Sequence, residues 1–499
     1  MEVSGAVRPV LDLSALKAVR AEFRKLDPLT LAFVALALGL GLLRFLSLGK
    51  WSLWLDEALT LADVDGGGEV NPIGYRLFGW FYALSAGRPD ERWLRLPAAV
   101  FGLASILATL WAFRPFLGAR AAAVAAFLVS ASAWHLYWSQ NARFYTLAQT
   151  LALVGGGALL RGLFGGSSVR TALGLVLLVL AALTHPSAAF LVVPLLVVPW
   201  VPHWLEWIPS EAARSRAWNL FSAAGLLGLV LGSGWALRAW FRWEARQGEG
   251  SLLHFAETVG YLVTPTLGLA FLAGVVRRWR ERDAFTTVVA TALGLGAAAL
   301  ASLFVRVSAQ YVFVLLPWIA AGAALALVPA RGAKDTLAGR VRTLVLALLV
   351  AAPGLVESGL YFGVRRGDRP RWREAYAYVF EHRAPDDLVF GMEAPVAEYY
   401  LDPDARHLRE WDEVTWLDDY RSRLPAEWAR YGRRTWFVIN ATQLDDWTSQ
   451  PNSRGNRADL ERFLHEECVR VARFDVPLTP RDLDVVVYVT RAPGGVTAR

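Results

Sequence analysis

Apolar residues run in long blocks separated by short polar turns until about residue 365, and then the pattern stops. About eleven of these blocks reach or approach the roughly 20 residues that a helix needs to cross a bilayer. They fall at 29–48, 93–113, 119–137, 145–163, 170–186, 187–202, 219–237, 257–275, 285–305, 309–330 and 342–362. Only Thr184-His185-Pro186-Ser187 separates 170–186 from 187–202, so that pair is either a hairpin or one kinked element. From 366 onward charge returns. Arg371–Arg383 and Ala458–Glu467 read as helices, and Leu388–Met392, Thr435–Asn440 and Val485–Thr490 as short buried strands. The expected fold is therefore mainly α: a polytopic transmembrane bundle over 1–365 with a small α/β soluble domain over 366–499. The one long excursion between blocks is the loop 49–92.

Composition agrees with this reading. The chain is 55% hydrophobic and only 19% charged, below the roughly 25% of soluble domains. Its net charge of +7 then says little about nucleic acid, and no nucleic-acid partner is expected. Basic residues in such a chain set topology and meet lipid headgroups. Arg20, Arg24 and Lys25 precede the first block, and Arg114, Arg120, Arg161 and Arg170 flank the next turns. Arg277, Arg278, Arg280 and Arg282 crowd one later loop, and Arg331, Lys334, Arg340 and Arg342 another. Strict alternation puts all of them on one side, which the positive-inside rule makes cytoplasmic. The loops 49–92, 138–144 and 238–256 and the C-terminal region then face outward. The expected location is a bacterial cytoplasmic membrane, with the C-terminal domain periplasmic. The first block is too long, and lacks the small-residue cleavage site, for a cleavable signal. Residues 10–23 read either as an interfacial amphipathic helix or as a plain lead-in to the first block. Cys468 is the only cysteine, so no internal disulfide and no cysteine metal site can form.

The candidate chemistry starts at Trp51-Ser52-Leu53-Trp54-Leu55-Asp56-Glu57, just past the first block. Carboxylates at a bilayer edge usually face water, a partner or a substrate. The same loop holds Asn71-Pro72-Ile73-Gly74-Tyr75 and the aromatics Phe78, Trp80, Phe81 and Tyr82. Aromatic residues favour the membrane interface, so the loop is expected in the headgroup zone as short amphipathic helices. The glycines 66–68 read as a flexible link; without a following Lys-Ser/Thr they are no phosphate loop. Asp56 and Glu57 would meet molecules that are half lipid and half polar. Glycosyl transfer from a lipid-linked sugar suits that setting. A carboxylate takes the acceptor's proton, and a departing lipid phosphate calls for a cation such as Arg143, whose planar fork matches phosphate oxygens. Arg306, Arg238, Arg242 and Arg246 are further cations on the same side. Each residue also has a plain structural reading. The carboxylate pair can cap a helix, Arg143 can anchor headgroups, and His185 can satisfy a helix break. The seven histidines show no ligand spacing. No cofactor is expected, and a divalent metal stays open.

Taken together these residues resemble the GT-C class of integral-membrane glycosyltransferases, in its protein O-mannosyltransferase and lipid A aminoarabinose transferase branch. The resemblance rests on Trp54-Leu55-Asp56-Glu57-Ala58, on Asn71 to Tyr75 and on Ser139-Gln140-Asn141-Ala142-Arg143-Phe144-Tyr145. It continues through Leu183-Thr184-His185 and the run from Gln310-Tyr311 to Leu316-Pro317, and covers roughly 29–330. It implies a polyprenyl-phosphate-sugar donor and inverting transfer at the outer face to an envelope acceptor, whether lipid, glycan or protein. Asp56 matches the class's catalytic acid, with Glu57 beside it, and Arg143 its phosphate-side arginine. Asn71, Tyr75, Tyr145, His185 and Tyr311 fall in the matching motifs as substrate-binding residues. This chain departs where relatives often have Glu, at Asn141, and where they often have Arg, at Gln310. Arg306, one helical turn earlier, stands in for the second. Two other readings fit the same residues: a transporter or flippase of lipid-linked sugars, and an inactive membrane scaffold.

Overall fold

The computed structural model describes residues 26–64, 71–244, 250–278, 282–330, 334–385, 387–401, 414–416, 434–440, 457–479 and 482–491. The expected interfacial helix at 10–23, the glycine link 66–68 and Arg246 lie outside these residues.

The first span opens on a capped start. Asp27 accepts the Thr30 N–H at 3.1 Å and Pro28 takes the first helical position, where its missing N–H costs nothing. Helix α1 then runs Pro28–Leu42. The loop 49–92 holds two short helices, α2 (Leu55–Asp63) and α3 (Pro72–Tyr82). Helix α4 (Glu91–Leu117) is capped by Asp90, which accepts the Trp93 N–H at 2.7 Å, and ends at Gly118, whose φ of 87° suits glycine. The block expected at 119–137 is two helices, α5 (Ala119–Ala131) and α6 (Ala133–Ser139), bent by 67° where extended Ser132 caps the second. Helices α7 (Tyr145–Phe164) and α8 (Ser168–Thr184) form a close pair, and α9 (Ala189–Val197) follows a break at His185. The chain continues through α10 (Arg216–Glu244), α11 (Leu252–Val263), α12 (Pro265–Arg278), α13 (Arg282–Ala301), α14 (Leu316–Leu327) and α15 (Leu337–Phe362).

Two expectations change. The block 257–275 is not one continuous helix, because the chain turns by 94° between α11 and α12. Thr264 sits at φ 67° and Pro265 has no N–H to continue the ladder, so the helix must end there. By length and composition, seven helices among the described residues can cross a membrane, or up to nine when each bent pair counts as one span, against the eleven expected. The chain is a multi-pass membrane protein, mainly helical.

The C-terminal part has a five-stranded sheet in the order β2-β1-β3-β5-β4. β1 (Leu388–Gly391) pairs in parallel with β2 (Val414–Trp416) and with β3 (Thr435–Asn440). β5 (Val485–Thr490) lies antiparallel between β3 and β4 (Cys468–Phe474). Helices α16 (Trp372–His382), α17 (Ala394–Leu401) and α18 (Arg457–Glu467) cover it. Its core does not stand apart from the outer loop. Leu53, Phe78, Tyr82 and Phe144 share one apolar cluster with Trp372, Tyr376, Val389 and Trp436. Polar ties reinforce the seam. The Tyr400 hydroxyl accepts the Leu53 N–H at 2.7 Å and donates to Glu91 at 3.0 Å, and Arg373 pairs with Glu91 at 2.5 Å.

In lipid, small residues let helices pack closely. A Cβ added to Gly174 of α8 would lie 2.7 Å from Leu159 Cα and 2.8 Å from Gly155 O on α7. Both are helix atoms that cannot swing away, and overpacking of this kind costs about 1–3 kcal/mol. We expect Gly174→Val to lower the melting temperature of the detergent-purified protein by several degrees. Gly296→Ala, where nothing lies within 4 Å, should leave it unchanged. Equal melting curves would show that α7 and α8 do not bear on each other in this way.

Candidate functional site

The acidic loop is organised by one buried arginine from α4. Arg95 spends all five of its N–H donors there. Nε and Nη2 meet the two carboxylate oxygens of Glu57, each at 2.8 Å. Nη1 donates to Leu48 O and Trp51 O, both at 2.9 Å, and Nη2 also to Ser52 O at 2.7 Å. Glu57 is fully buried and is itself saturated. It accepts the Trp54 N–H at 3.2 Å, closing the first turn of α2, and the Ala142 N–H at 2.9 Å. Arg369, just past the last span, adds its Nε at 3.5 Å. Burial alone would raise the Glu57 pKa; Arg95 and Arg369 outweigh it and hold the carboxyl below its usual range. Glu57 is thus a structural strut, with its oxygens committed to protein partners.

Asp56, one position earlier on the helix, turns the other way and is about a third exposed. Arg143 faces it, with Nε 3.9 Å from Asp56 Oδ2. Arg143 Nη1 donates to Thr60 Oγ1 at 2.8 Å and to Asp56 O at 3.3 Å. Thr60 in turn donates to Asp56 O at 2.7 Å. Burial by itself disfavours the Arg143 charge, but Asp56 together with Tyr145 and Tyr75 raises its pKa, so it stays a cation. Tyr75, from α3, points its hydroxyl at Asp63 at 3.5 Å and stands beside Arg143.

Ring contacts join the other candidates. Tyr75 meets Phe144 edge-on at 4.9 Å, and His185 lies 6.4 Å from Phe144, 4.4 Å from Tyr145 and 6.4 Å from Tyr311. Tyr145 continues to Trp138 at 4.2 Å, and Trp138 to Trp54 at 6.5 Å. The structure therefore gathers Asp56, Glu57, Tyr75, Arg143, Tyr145, His185 and Tyr311, which are far apart in sequence. His185 Nδ1 is engaged with Ser187, 2.7 Å from its hydroxyl, as a helix-break residue. Asn71 precedes α3, and its side-chain oxygen is buried without a hydrogen-bond partner among the described residues. Arg306 stands half-buried between the buried Val305 and Val307.

A cavity of about 560 Å³ opens on the other side of Trp54, between the bundle and the C-terminal domain. Trp134, Tyr137 and Trp138 from α6 line it with Gln310, Arg369 and Glu393. Asp56 and Arg143 are not among its lining residues, but Asp56 follows the lining Trp54 by two positions. Glu393 lines the cavity close enough to Asp56 to feel its charge. Burial first and then Asp56 push its carboxyl up to about 8. Asp368, at the same wall, is pushed up to about 6, mainly by burial. Three of these residues escape the sequence reading. Arg95 leaves a signal, a charge in the first turns of an apolar span. Arg369 and Glu393 leave none, because only folding brings the C-terminal segment to this wall. Among the described residues, no three His, Cys, Asp or Glu side chains gather to hold a metal ion.

The sequence matches no family model and no curated protein. Solved structures do match. ArnT from Cupriavidus metallidurans in the apo state is 16% identical, covering 93% of this chain and 98% of its own, with a TM-score of 0.54. The same enzyme bound to undecaprenyl phosphate gives 15% identity, the same coverage and 0.53. The oligosaccharyltransferase AglB from Archaeoglobus fulgidus, in complex with an inhibitory peptide and a dolichol-phosphate, is 11% identical. That match covers 92% of this chain and 74% of AglB, with a TM-score of 0.54. Helical bundle and small C-terminal sheet together, the chain has the fold of the GT-C integral-membrane glycosyltransferases.

Proposed function

We propose that this protein is a membrane glycosyltransferase that moves a sugar from a polyprenyl-phosphate carrier to an envelope acceptor at the outer face of the cytoplasmic membrane. The observation that carries the reading is Asp56: a partly exposed carboxylate on a short helix, faced by a largely buried arginine. Structures of the same fold hold undecaprenyl phosphate and dolichol-phosphate, which supports a lipid-phosphate donor. In the proposed step Asp56 takes the proton of an acceptor hydroxyl. The freed oxygen attacks the anomeric carbon from the side opposite the phosphate. The bond to the phosphate oxygen breaks and its electron pair leaves with the lipid phosphate, so the configuration inverts. A phosphate leaves without needing a proton, so one carboxylate suffices. Arg143 keeps Asp56 aimed, since it binds both the Asp56 carbonyl and Thr60.

Transfer of radiolabelled sugar from polyprenyl-phosphate donors in membranes tests this. Loss of a positioned base costs roughly 10²–10⁴ in rate. Asp56→Asn should lose activity on that scale with normal expression and melting temperature. Wild-type turnover in the Asp56→Asn protein would end the reading.

Glu57→Gln should behave differently. Removing one partner of a buried ion pair costs about 3–5 kcal/mol, so the melting temperature should fall, with activity lost through the fold. Because the Glu57 carboxyl titrates below its usual range, its stabilisation is complete above about pH 4.3 and is lost as pH falls through the lower native value. Glu57→Gln should therefore also flatten the acid limb of the stability profile. A full-stability, low-activity Glu57→Gln would make Glu57 a chemical participant instead.

The orientation has its own check. An alkaline phosphatase fused after Arg499 should be active if the C-terminal domain lies outside. An inactive fusion there, with an active one after Lys334, would reverse the orientation.

A further inference from the structure

The cavity beside Trp54 is lined by a cation whose two outer nitrogens the described residues leave without hydrogen bonds. Arg369 is 2% exposed, its Nε turned to Glu57 and the Tyr137 ring 4.4 Å from its guanidinium carbon. Its Nη1 and Nη2 have no hydrogen-bond partner among the described residues. A guanidinium does not give up its proton, so burial cannot neutralise it; Glu57 balances the charge from the Nε side, and the two Nη groups remain buried donors without partners, which is costly. The indole N–H groups of Trp54, Trp134 and Trp138, which can only donate, are buried at the same walls and also lack partners among the described residues.

Glu393 is the complementary group. It is 1% exposed, lines the cavity, and neither carboxylate oxygen has a hydrogen bond among the described residues. The Leu55 N–H and the Trp372 indole approach it without closing one of normal geometry. Unlike Arg369 it can shed its charge, and as an acid it both donates and accepts. Unsatisfied donors around a fixed cation, with one carboxyl across the same space, fit a ligand with an anionic, acceptor-rich end joined to a hydroxyl-bearing part.

We propose that this cavity holds the head of the lipid-linked donor, with its phosphate on Arg369 Nη1 and Nη2 and a hydroxyl of the attached sugar on Glu393. The assignment rests on the glycosyl-transfer reading above and goes beyond it: two residues downstream of the last span complete the donor site. It moves the phosphate away from Arg143, which does not line the cavity and whose Nη1 is taken by Thr60 and the Asp56 carbonyl.

Binding of undecaprenyl phosphate to the full-length protein in detergent, by ligand-dependent thermal shift and titration, tests this. Wild type should bind the lipid, and inorganic phosphate should not replace it. Arg369→Gln should weaken binding by roughly tenfold to a hundredfold, as expected for losing charge-assisted hydrogen bonds. Arg143→Gln should bind nearly as wild type does. If Arg369→Gln aggregates, Arg369→Lys decides: it keeps the charge beside Glu57 but loses the fork, so binding should still weaken by about tenfold. A well-folded Arg369→Lys with wild-type affinity overturns the assignment. A second measurement uses the unmutated protein. Dicyclohexylcarbodiimide, which attacks protonated carboxyls in apolar surroundings, should label Glu393, and undecaprenyl phosphate should slow that labelling. An unchanged labelling rate also overturns it, and inorganic phosphate acting as well as the lipid would assign the cavity to a free anion. A wild type that binds no lipid phosphate at all sinks the glycosyl-transfer reading itself; lipid binding that ignores Arg369 sinks only this proposal.

Discussion

The buried pair between Glu57 and Arg95 is the contact on which the arrangement of the loop 49–92 depends. It is more than one ion pair. Arg95 gathers three carbonyls of the loop 48–52, and Glu57 gathers two backbone N–H groups, one of them from Ala142 in the loop before α7. A span, an outer loop and a distant turn are thereby fixed to one point. Two charges taken out of water are tolerated only when their remaining hydrogen-bonding capacity is filled, and here every Arg95 donor is used. Such a network contributes conformational definition at least as much as stability. It sets the orientation of α2, and α2 sets the direction of Asp56.

Neighbouring residues on a helix point about 100° apart, and the pair Asp56-Glu57 makes use of that. One carboxylate turns inward and is consumed by structure. The other turns outward, partly wet and opposed by Arg143. Environment, not residue type, divides their roles. A rigid inner carboxylate is what allows the outer one to be held in a defined position without being buried.

The C-terminal domain is part of the same construction. Its apolar core is continuous with the aromatic residues of the outer loop, and Tyr400 and Arg373 tie it to Leu53 and Glu91. It supplies Arg369 and Glu393 to the wall of the cavity. That arrangement makes the domain a structural lining of the site.

Much of the architecture was legible in the chain because membrane insertion imposes a length and a polarity that local sequence records directly. The spans at 145–163 and 342–362, the break at His185 and the change of material after 366 are all local signals. The strands at 388, 435 and 485 were likewise written in short apolar runs. Asp56 and Arg143 could be singled out from sequence, since each sits at a polar interruption of an apolar run, whereas Asn71, Tyr75, Tyr145, His185 and Tyr311 were named only through the resemblance to GT-C motifs. What sequence could not decide is how the interruptions meet. The 94° turn at Thr264-Pro265 arises from one backbone conformation inside a run that reads as continuous. The partition of Asp56 from Glu57 depends on Arg95, 38 positions away. Arg369 and Glu393 look like ordinary soluble-domain charges along the chain. Only tertiary packing buries them, removes their water and turns them toward one cavity. Periodicity carries burial within an element; the partner of a buried charge is fixed only when distant elements close around it.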